Sequence, residues 1–284
     1  MQKEQAVCTK NNFEIFLFSF VSKVRAGPFD KNIVFSSPVC YNKLTEAKNS
    51  AILIKRKEML YRMKILFQGD SITDGNRYKS KASEWDKNHQ IGHSYVYIIT
   101  GLLGMQYPER GFEFINRGIS GNIAGELAKR WQTDALDIDP DVLSVLIGVN
   151  DCIRVSTHSI KDFSAAKYEE NYRLILNQSR EKNPDLKLVL LEPFAYTEIQ
   201  NVENSSPEIR RVILRSEQKI VRRLAEEFGA VFVPLQEVFD EALKLREAEY
   251  WLWDGTHPTE AGHALIAKEF LKATKHIFET ETSI

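Results

Sequence analysis

From residue 63 onward, short apolar runs alternate with longer segments of helical spacing, and this alternation restricts the fold more than any other feature of the chain. The apolar runs have the length of strands and cover residues 63–69, 112–116, 142–147, 186–191 and 230–233. The segments with helical spacing cover residues 93–107, 123–136, 165–182, 207–228 and 258–276. Near-continuous apolar strands separated by amphipathic helices are typical of a parallel sheet covered on both faces. We therefore predict an α/β fold, a three-layer α/β/α sandwich whose parallel sheet has about five strands.

The first 62 residues differ from the rest in charge and in pattern. They carry 11 Lys or Arg and 5 Asp or Glu, whereas the remainder carries 27 and 34. They show no sustained periodicity, and Met63 stands directly before the first predicted strand. We predict that residues 1–62 are an N-terminal extension outside the fold, arising in one interpretation from an upstream translation start, and that residues 63–284 form one domain. The alternative is an arm that binds a membrane or a partner.

Composition excludes several classes of protein. A formal net charge of −1 gives no reason to expect a nucleic-acid partner. The most apolar N-terminal run, residues 13–21, is too short to span a bilayer, and no clean signal-peptide cleavage site follows it. We therefore expect a cytoplasmic protein, with secretion as the alternative. Three cysteines without a CxxC pair or a Cys/His cluster argue against a disulfide framework and a zinc site, so we predict no metal and no cofactor.

Four short segments carry polar residues at places where a parallel sheet would bring them together. They are Gly69-Asp70-Ser71-Ile72-Thr73, Ile119-Ser120-Gly121-Asn122, Gly148-Val149-Asn150-Asp151 and Asp254-Gly255-Thr256-His257. Each of the first three follows a predicted strand, and the fourth lies in the loop before the last predicted helix. Ligands of such folds bind beyond the carboxyl ends of the strands. We therefore expect the four segments to converge at one edge of the sheet.

The first and last segments hold the groups that nucleophilic catalysis needs. A serine hydroxyl attacks an ester only when a neighbouring base takes its proton, and a carboxylate commonly orients that base. Ser71, His257 and Asp254 suit these three roles. The alternative is that both segments are ordinary turns and helix caps. The Gly-x-Ser-x-Gly elbow is missing, which disfavours the α/β-hydrolase fold.

The two middle segments provide hydrogen-bond donors. Acyl transfer builds negative charge on the carbonyl oxygen, and donors that are already oriented stabilise this charge. The backbone N–H groups of Ser71 and Gly121 and the side-chain amide of Asn150 would form such an oxyanion hole. Glycine permits close approach of the backbone to a ligand. Taken singly, each of these segments could equally be an ordinary loop.

Together the four segments resemble the blocks of the SGNH hydrolases, the GDSL esterase/lipase family, which is named for a Ser, a Gly, an Asn and a His. The matching residues are Ser71, Gly121, Asn150 and His257, and the similarity covers residues 63–278. The resemblance implies a flavodoxin-like three-layer fold with residues 63–284 as the catalytic domain. It also implies Ser71 as nucleophile, His257 as base and Asp254 as the residue that orients the base, with an oxyanion hole formed by Ser71, Gly121 and Asn150.

Within this family the chain is similar to the bacterial carbohydrate acetylesterases, which include acetylxylan esterases. The stretches that carry this likeness are residues 116–122, 146–151, 192–194 and 253–258. The resemblance implies a serine esterase for short acyl groups, chiefly acetyl, on a small-molecule or oligosaccharide ester, and it suggests a homo-oligomer. The alternatives are a lysophospholipase or thioesterase with the same triad, or a sugar-binding module without activity.

Residues around the four segments are candidates for substrate contacts. Residues 77–90 form a long, polar, insertion-like loop after the first strand, which should overhang the site. Tryptophans there and just before the triad histidine could be sugar platforms or local packing. Arg77 could position a polar substrate or be solvated. The candidate substrate-binding residues are Asp70, Arg77, Trp85, Phe194 and Trp253.

Overall fold

The computed structural model describes residues 7–8, 34–35, 63–79, 87–157 and 164–279. The chain divides into two compact units, Met1–Tyr61 and Arg62–Ile284. In the first unit the structure describes one short parallel pairing, between Val7–Cys8 and Val34–Phe35. The role of residues 1–62 as an extension stays a prediction.

The second unit is built on one five-stranded parallel sheet. Its strands are β1 (Lys64–Gly69), β2 (Glu113–Asn116), β3 (Val142–Leu146), β4 (Lys187–Leu191) and β5 (Val231–Val233). Their order across the sheet is β2-β1-β3-β4-β5, and every neighbouring pair is parallel. This is the strand order of flavodoxin-like doubly wound folds. The predicted fold class is confirmed, and each observed strand lies within one residue of its predicted bounds.

Helices connect successive strands. They are α1 (Ser71–Asp74), α2 (Lys87–Ile91), α3 (Tyr95–Gln106), α4 (Ala124–Trp131), α5 (Val149–Ser156), α6 (Ala165–Lys182), α7 (Pro207–Glu227), α8 (Gln236–Ala242), α9 (Ala248–Trp251) and α10 (Glu260–Phe278). A π-helical segment, Gln132–Leu136, continues α4, and a short 3₁₀ turn, Pro108–Arg110, precedes β2. The five long helices match the predicted ones, whereas the sequence did not predict the short helices α1, α2, α5, α8 and α9.

Side chains from the two faces of the sheet enter two separate cores. In β1, Ile65 and Phe67 pack in one core with α3 and α10, whereas Leu66 packs in the other with α4, α6 and α7. Successive side chains of a strand point to opposite faces, so a strand covered on both sides needs an unbroken apolar run. This explains why the sequence of β1 reads as continuous rather than alternating.

The strand order also determines where a ligand can enter. The chain passes from β1 to β2 on one side, then crosses to β3 on the other side of β1. The crevice between the loops that follow β1 and β3 is the topological switch point, where ligands bind in such sheets. Ser71 follows β1, Gly121 follows β2 and Asn150 follows β3, so all three lie just beyond the strand ends that surround this crevice.

Two buried acids lie behind the loop that follows β3. Asp151 of α5 is fully buried, and its carboxylate accepts the Ala124 backbone N–H at the start of α4 at 3.1 and 3.2 Å. Glu217 of α7 is also buried, and neither of its carboxylate oxygens has a hydrogen-bond partner among the described residues. Burial raises the pKa of both carboxyl groups well above their ordinary values, and the charge of Asp151 raises the pKa of Glu217 further. Glu217 is therefore more stable as the neutral acid.

We expect Glu217→Gln to stabilise the protein increasingly as the pH rises. The pKa of Glu217 is raised in the folded state, so its contribution to stability is fully present below its ordinary value of 4.5 and is lost as pH rises through the folded value. Glutamine cannot ionise and avoids this loss. Urea unfolding at pH 5, 7 and 9 should show a gain that grows by about 1.4 kcal/mol for each pH unit between the ordinary and the folded pKa of Glu217, the free energy that one pH unit represents for a single proton.

Glu226→Gln is the matched control for this experiment, because Glu226 lies on the same helix and is exposed. Its substitution should change the free energy of unfolding little at any pH. A gain from Glu217→Gln that is equal at pH 5 and pH 9 would show that ionisation of Glu217 is not its cause.

Candidate active site

A tight turn at the end of β1 places Ser71 at the edge of the sheet. Asp70 is the N-cap of α1, and its Oδ1 accepts the Ile72 backbone N–H at 3.0 Å. A Cβ on Gly69 would lie 2.3 Å from Thr73 Oγ1 and 2.5 Å from the Leu146 carbonyl oxygen, so the turn can close only on glycine. The turn therefore presents Ser71 as the first residue of α1, just beyond the end of β1.

Ser71, His257 and Asp254 form one hydrogen-bonded chain. The Oγ of Ser71 lies 2.8 Å from His257 Nε2, and His257 Nδ1 lies 2.7 Å from Asp254 Oδ2. The other carboxylate oxygen of Asp254 accepts the backbone N–H groups of Thr256 at 2.9 Å and His257 at 2.7 Å. Because both carboxylate oxygens are held, the imidazole has a fixed orientation toward Ser71. The structure thus brings together three residues that the sequence analysis selected from distant segments.

The electrostatics of this chain favour a proton acceptor at His257. The hydrogen bond to Asp254 raises the pKa of His257 above 6.5, and partial burial opposes this effect. Burial alone would raise the pKa of Asp254. The hydrogen bonds from the side chain and backbone of His257 and from the Thr256 N–H outweigh that effect and hold it below 3.8. Asp254 therefore stays ionised at neutral pH, and its charge favours a protonated imidazole at His257.

The loop after β2 offers an unengaged backbone donor. Gly121 has a φ of 79°, a left-handed conformation that favours glycine, and a Cβ there would meet no atom within 4 Å. Its carbonyl accepts Arg154 Nη2 at 2.7 Å, which ties this loop to α5. Neither Gly121 N–H nor Ser71 N–H donates a hydrogen bond within the described part of the chain. Both groups are therefore available to a ligand.

Asn150 connects the first two loops. It lies in the first turn of α5, and its side-chain Nδ2 donates to the Asn122 carbonyl at 3.1 Å and to Asp70 Oδ2 at 3.3 Å. Asn122 is next to Gly121, and Asp70 is next to Ser71. The amide of Asn150 is therefore in contact with the loop of each of the other two predicted oxyanion donors.

Asp70, next to Ser71, has a carboxyl group whose pKa lies near neutrality. Burial raises its pKa to about 7, although the hydrogen bond from the Ile72 N–H and the charge of His257 oppose this rise. The side chain is only 1% exposed and both oxygens face inward. The carboxylate of Asp70 is therefore occupied by internal partners, and its contact with a substrate stays a prediction.

Two buried polar residues that sequence reasoning did not identify hold the first two loops together. The carboxylate of Asp74 accepts the Ser120 backbone N–H at 3.1 Å and Lys79 Nζ at 2.7 Å. Asn116, at the end of β2, donates to the Thr73 carbonyl at 2.7 Å and accepts the Gly118 N–H at 2.8 Å. The available signal was the position of Asn116 at the end of an otherwise apolar strand, where a polar side chain must find partners.

Arg130 of α4 is a further residue at the site that could not be identified from the sequence. Its guanidinium donates to Asn122 Oδ1 at 2.9 Å, to Gln68 Oε1 at 3.0 Å and to the Arg117 carbonyl at 2.9 Å. It therefore fixes the loop after β2 against the end of β1. In the sequence, an arginine on an amphipathic helix cannot be distinguished from one on the solvent face.

Neither a metal site nor a membrane span is found within the part of the chain that the structure describes. No group of three or more His, Cys, Asp or Glu side chains there could hold a metal ion. No helix among these residues combines the length and the apolar character needed to cross a membrane.

Comparison with known proteins adds to this geometry. The model of the GDSL-like lipase/acylhydrolase family matches residues 67–265. The chain belongs to this family. An acetylxylan esterase from Geobacillus stearothermophilus is 33% identical over 213 residues, which are 74% of this chain and 92% of that protein. The match confirms the family predicted from the four segments.

Solved structures agree with this assignment. A protein from Parabacteroides merdae described as a GDSL-like lipase superposes with a TM-score of 0.69 at 38% identity, covering 75% of this chain and 95% of that one. A catalytic mutant of Axe2, an acetylxylan esterase from G. stearothermophilus, superposes with a TM-score of 0.65 at 33% identity, covering 74% and 93%. The protein is accordingly a carboxylic-ester hydrolase, and a catalytic triad and an oxyanion hole are features of its family.

Two further residues of this GDSL-family hydrolase that were predicted to contact substrate have side chains engaged within the protein. The side chain of Arg77 is 7% exposed, and its Nε donates to the Gly118 carbonyl at 3.1 Å and lies 3.7 Å from Asp74 Oδ1. The guanidinium is therefore buried rather than solvated, and its contact with a substrate stays a prediction. Phe194 is fully buried and stacks on Phe239 with ring centroids 4.4 Å apart. Phe194 belongs to the core because burial of its apolar ring is favourable, and it packs there with Phe239.

The tryptophans differ in their surroundings. Trp253 is 61% exposed and stacks on the His257 ring, with centroids 5.6 Å apart and an interplanar angle of 19°. Trp251 is partly buried and packs edge-on against Tyr250 at 4.9 Å. Trp85 lies outside the described residues, as does the middle of the predicted loop, residues 80–86. Among the described residues, Trp253 is the tryptophan that presents an open indole face next to the triad.

We expect Asp254→Asn to move the acidic limb of the pH–rate profile to lower pH and to reduce kcat by about 10³- to 10⁴-fold. In the unmodified enzyme, kcat/KM should rise with pH through the raised pKa of His257, because the neutral imidazole is the base. Loss of the Asp254 charge lowers that pKa. The measurement is kcat/KM for p-nitrophenyl acetate between pH 5 and 9, together with an NMR titration of the His257 ring.

Asp240→Asn, a substitution of an exposed residue on α8, serves as the control. It should change neither the acidic limb of the pH–rate profile nor kcat. An imidazole pKa that does not change in Asp254→Asn would contradict the role given to the Asp254 carboxylate.

Proposed function

We propose that this hydrolase removes acetyl groups from a carbohydrate, with Ser71 as nucleophile, His257 as base and Asp254 as the residue that orients the base. The observation that carries the proposal is the hydrogen-bonded chain from Ser71 Oγ through His257 to Asp254 at 2.8 and 2.7 Å. These hydrogen-bonded residues lie at the switch point of the sheet. The protein itself belongs to a family of acylhydrolases.

In the first half of the reaction, Ser71 Oγ attacks the carbonyl carbon of the acetyl ester while His257 Nε2 takes its proton. Negative charge develops on the carbonyl oxygen, and the N–H groups of Ser71 and Gly121 and the Asn150 amide stabilise it. When the tetrahedral intermediate collapses, His257 returns the proton to the departing sugar hydroxyl. The product is a free hydroxyl on the sugar and an acetyl group on Ser71.

In the second half, water takes the place of the departed alcohol. His257 removes a proton from this water, which attacks the acetyl carbonyl, and the same donors stabilise the second oxyanion. Collapse releases acetate as His257 returns the proton to Ser71 Oγ. Both halves use one base and one set of donors, so the mechanism needs no group beyond those at the site.

Two observations support acetyl groups on a carbohydrate as the substrate. The chain shares 33% identity with an acetylxylan esterase over 92% of that protein. The exposed indole of Trp253 lies against the base, and an aromatic face beside the reacting group offers a sugar ring an apolar surface to lie on. The acyl-chain preference distinguishes this proposal from a lysophospholipase or a thioesterase with the same triad.

We expect Ser71→Ala and His257→Ala each to reduce kcat for p-nitrophenyl acetate by about 10³-fold or more, because nucleophile and base act as a unit. Circular dichroism and thermal unfolding should show that both variants are folded. His276→Ala, an exposed histidine on α10, is the matched control and should keep full activity. Normal turnover in either triad variant would refute the assignment.

The substrate class is tested with acetylated xylo-oligosaccharides and a series of p-nitrophenyl esters of increasing chain length. We expect kcat/KM to be highest for acetyl and to fall for longer chains. Trp253→Ala should raise KM for the acetylated oligosaccharide about 10-fold, the loss of one aromatic contact, with a smaller change for p-nitrophenyl acetate. Equal changes for the two substrates would mean that Trp253 acts on His257 and not on the sugar.

A further inference from the structure

Asp70 is a buried carboxyl group whose two oxygens have different partners. Oδ1 accepts the Ile72 backbone N–H at 3.0 Å and so caps α1, whereas Oδ2 accepts Asn150 Nδ2 at 3.3 Å. No Lys or Arg among the described residues forms an ion pair with it. The triad uses neither oxygen, so a capping role accounts for only half of this carboxylate.

The Asn150 amide has two acceptors from two different loops. One is Asp70 Oδ2, adjacent to the nucleophile, and the other is the Asn122 carbonyl at 3.1 Å, adjacent to Gly121. A side-chain amide with a single acceptor can rotate about its terminal torsion, which has a broad energy profile. Two acceptors on different elements define the plane of the amide.

The orientation of this amide matters because an oxyanion hole works by being organised before the reaction. Donors that must first rotate lose part of their advantage over water. Asp70 is bonded to Ser71 in the chain, so its Oδ2 fixes the amide relative to the nucleophile itself. The contact to Asp70 is the longer of the two. The Asn150 N–H that makes this contact is the one that would also donate to the oxyanion formed when Ser71 attacks.

We propose that Asp70 is a positioning residue that acts through Asn150: with the Asn122 carbonyl, its Oδ2 holds the side-chain amide in the plane from which it stabilises the oxyanion. This inference rests on the proposed function, which makes Asn150 an oxyanion donor. Asp70 of the Gly-Asp-Ser segment would then act on the transition state through Asn150, without touching the substrate.

The chain offers a substitution that separates the two oxygens. In Asp70→Asn, the amide oxygen can still cap Ile72, and asparagine caps helices as well as aspartate does. The new NH₂ group then faces the Asn150 NH₂, so a donor replaces the acceptor. Asp70→Ser caps the helix with its hydroxyl but is too short to reach Asn150, and it provides a second variant that lacks the contact.

The test is a double-mutant cycle on p-nitrophenyl acetate. We expect Asp70→Asn to lower kcat by about 10- to 100-fold with little change in KM, the effect of a misplaced group near the reacting atoms. In the Asn150→Ala background the same substitution should change kcat by less than about 2-fold, because residues that act through one contact are not additive. Asp70→Ser should follow the same pattern.

The outcomes separate the inference from the proposed function. If Asn150→Ala alone leaves kcat unchanged, the oxyanion assignment fails, and the proposed mechanism fails with it. If Asn150→Ala lowers kcat by about 100- to 1,000-fold but Asp70→Asn has the same effect in both backgrounds, only the inference is overturned. A purely capping role predicts no loss of kcat from Asp70→Asn in either background, because asparagine keeps the cap, and this result would overturn the inference as well.

A measurement on the unmodified enzyme covers the case in which the Asp70 variants do not fold. The side-chain amide signals of Asn150 are assigned by their loss in Asn150→Ala, and their hydrogen exchange is compared with that of exposed Asn201. Slow exchange at Asn150 is expected from an amide held by two acceptors. Exchange as fast as that of Asn201 would contradict the proposed restraint.

Discussion

Helices cover both faces of the parallel sheet, and this burial leaves the ends of the strands as the main place for polar chemistry. Strands β1 and β3 send side chains into a core on each side of the sheet, so both faces of these strands are buried by packing. A polar group that must meet water and substrate then has to follow a strand rather than lie within it. The triad and the oxyanion donors obey this constraint.

Buried polar contacts behind the site convert loops into a rigid frame. Asp74, Asn116 and Arg130 each join the turn after β1 to the loop after β2, and none of them is placed to react with a substrate. Unpaired buried polar groups are costly, so these residues hold the loops in one arrangement. The catalytic distances depend on this frame as much as on the triad side chains.

Much of the fold could be predicted from the sequence, because a strand buried on both faces must be an apolar run and the long helices show regular spacing. The short helices could not, since four to eight residues give too few turns for a periodic signal. The triad was accessible because each member lies in a local motif. The surroundings of Arg77 and Phe194 could not be predicted, because residue type does not reveal burial: the Arg77 guanidinium is directed inward to a carbonyl and a carboxylate. The oligomeric state and the cellular compartment stay predictions.

The stacking of Trp253 on His257 links the optical properties of the protein to its chemistry. A protonated imidazole quenches the emission of an indole that lies against it, and a cation is favoured over an aromatic face. The open side of this indole faces solvent while its other side lies on the histidine ring. The emission of Trp253 should therefore depend on the charge of the imidazole, and a variant that lacks the other three tryptophans would report that charge without an added label.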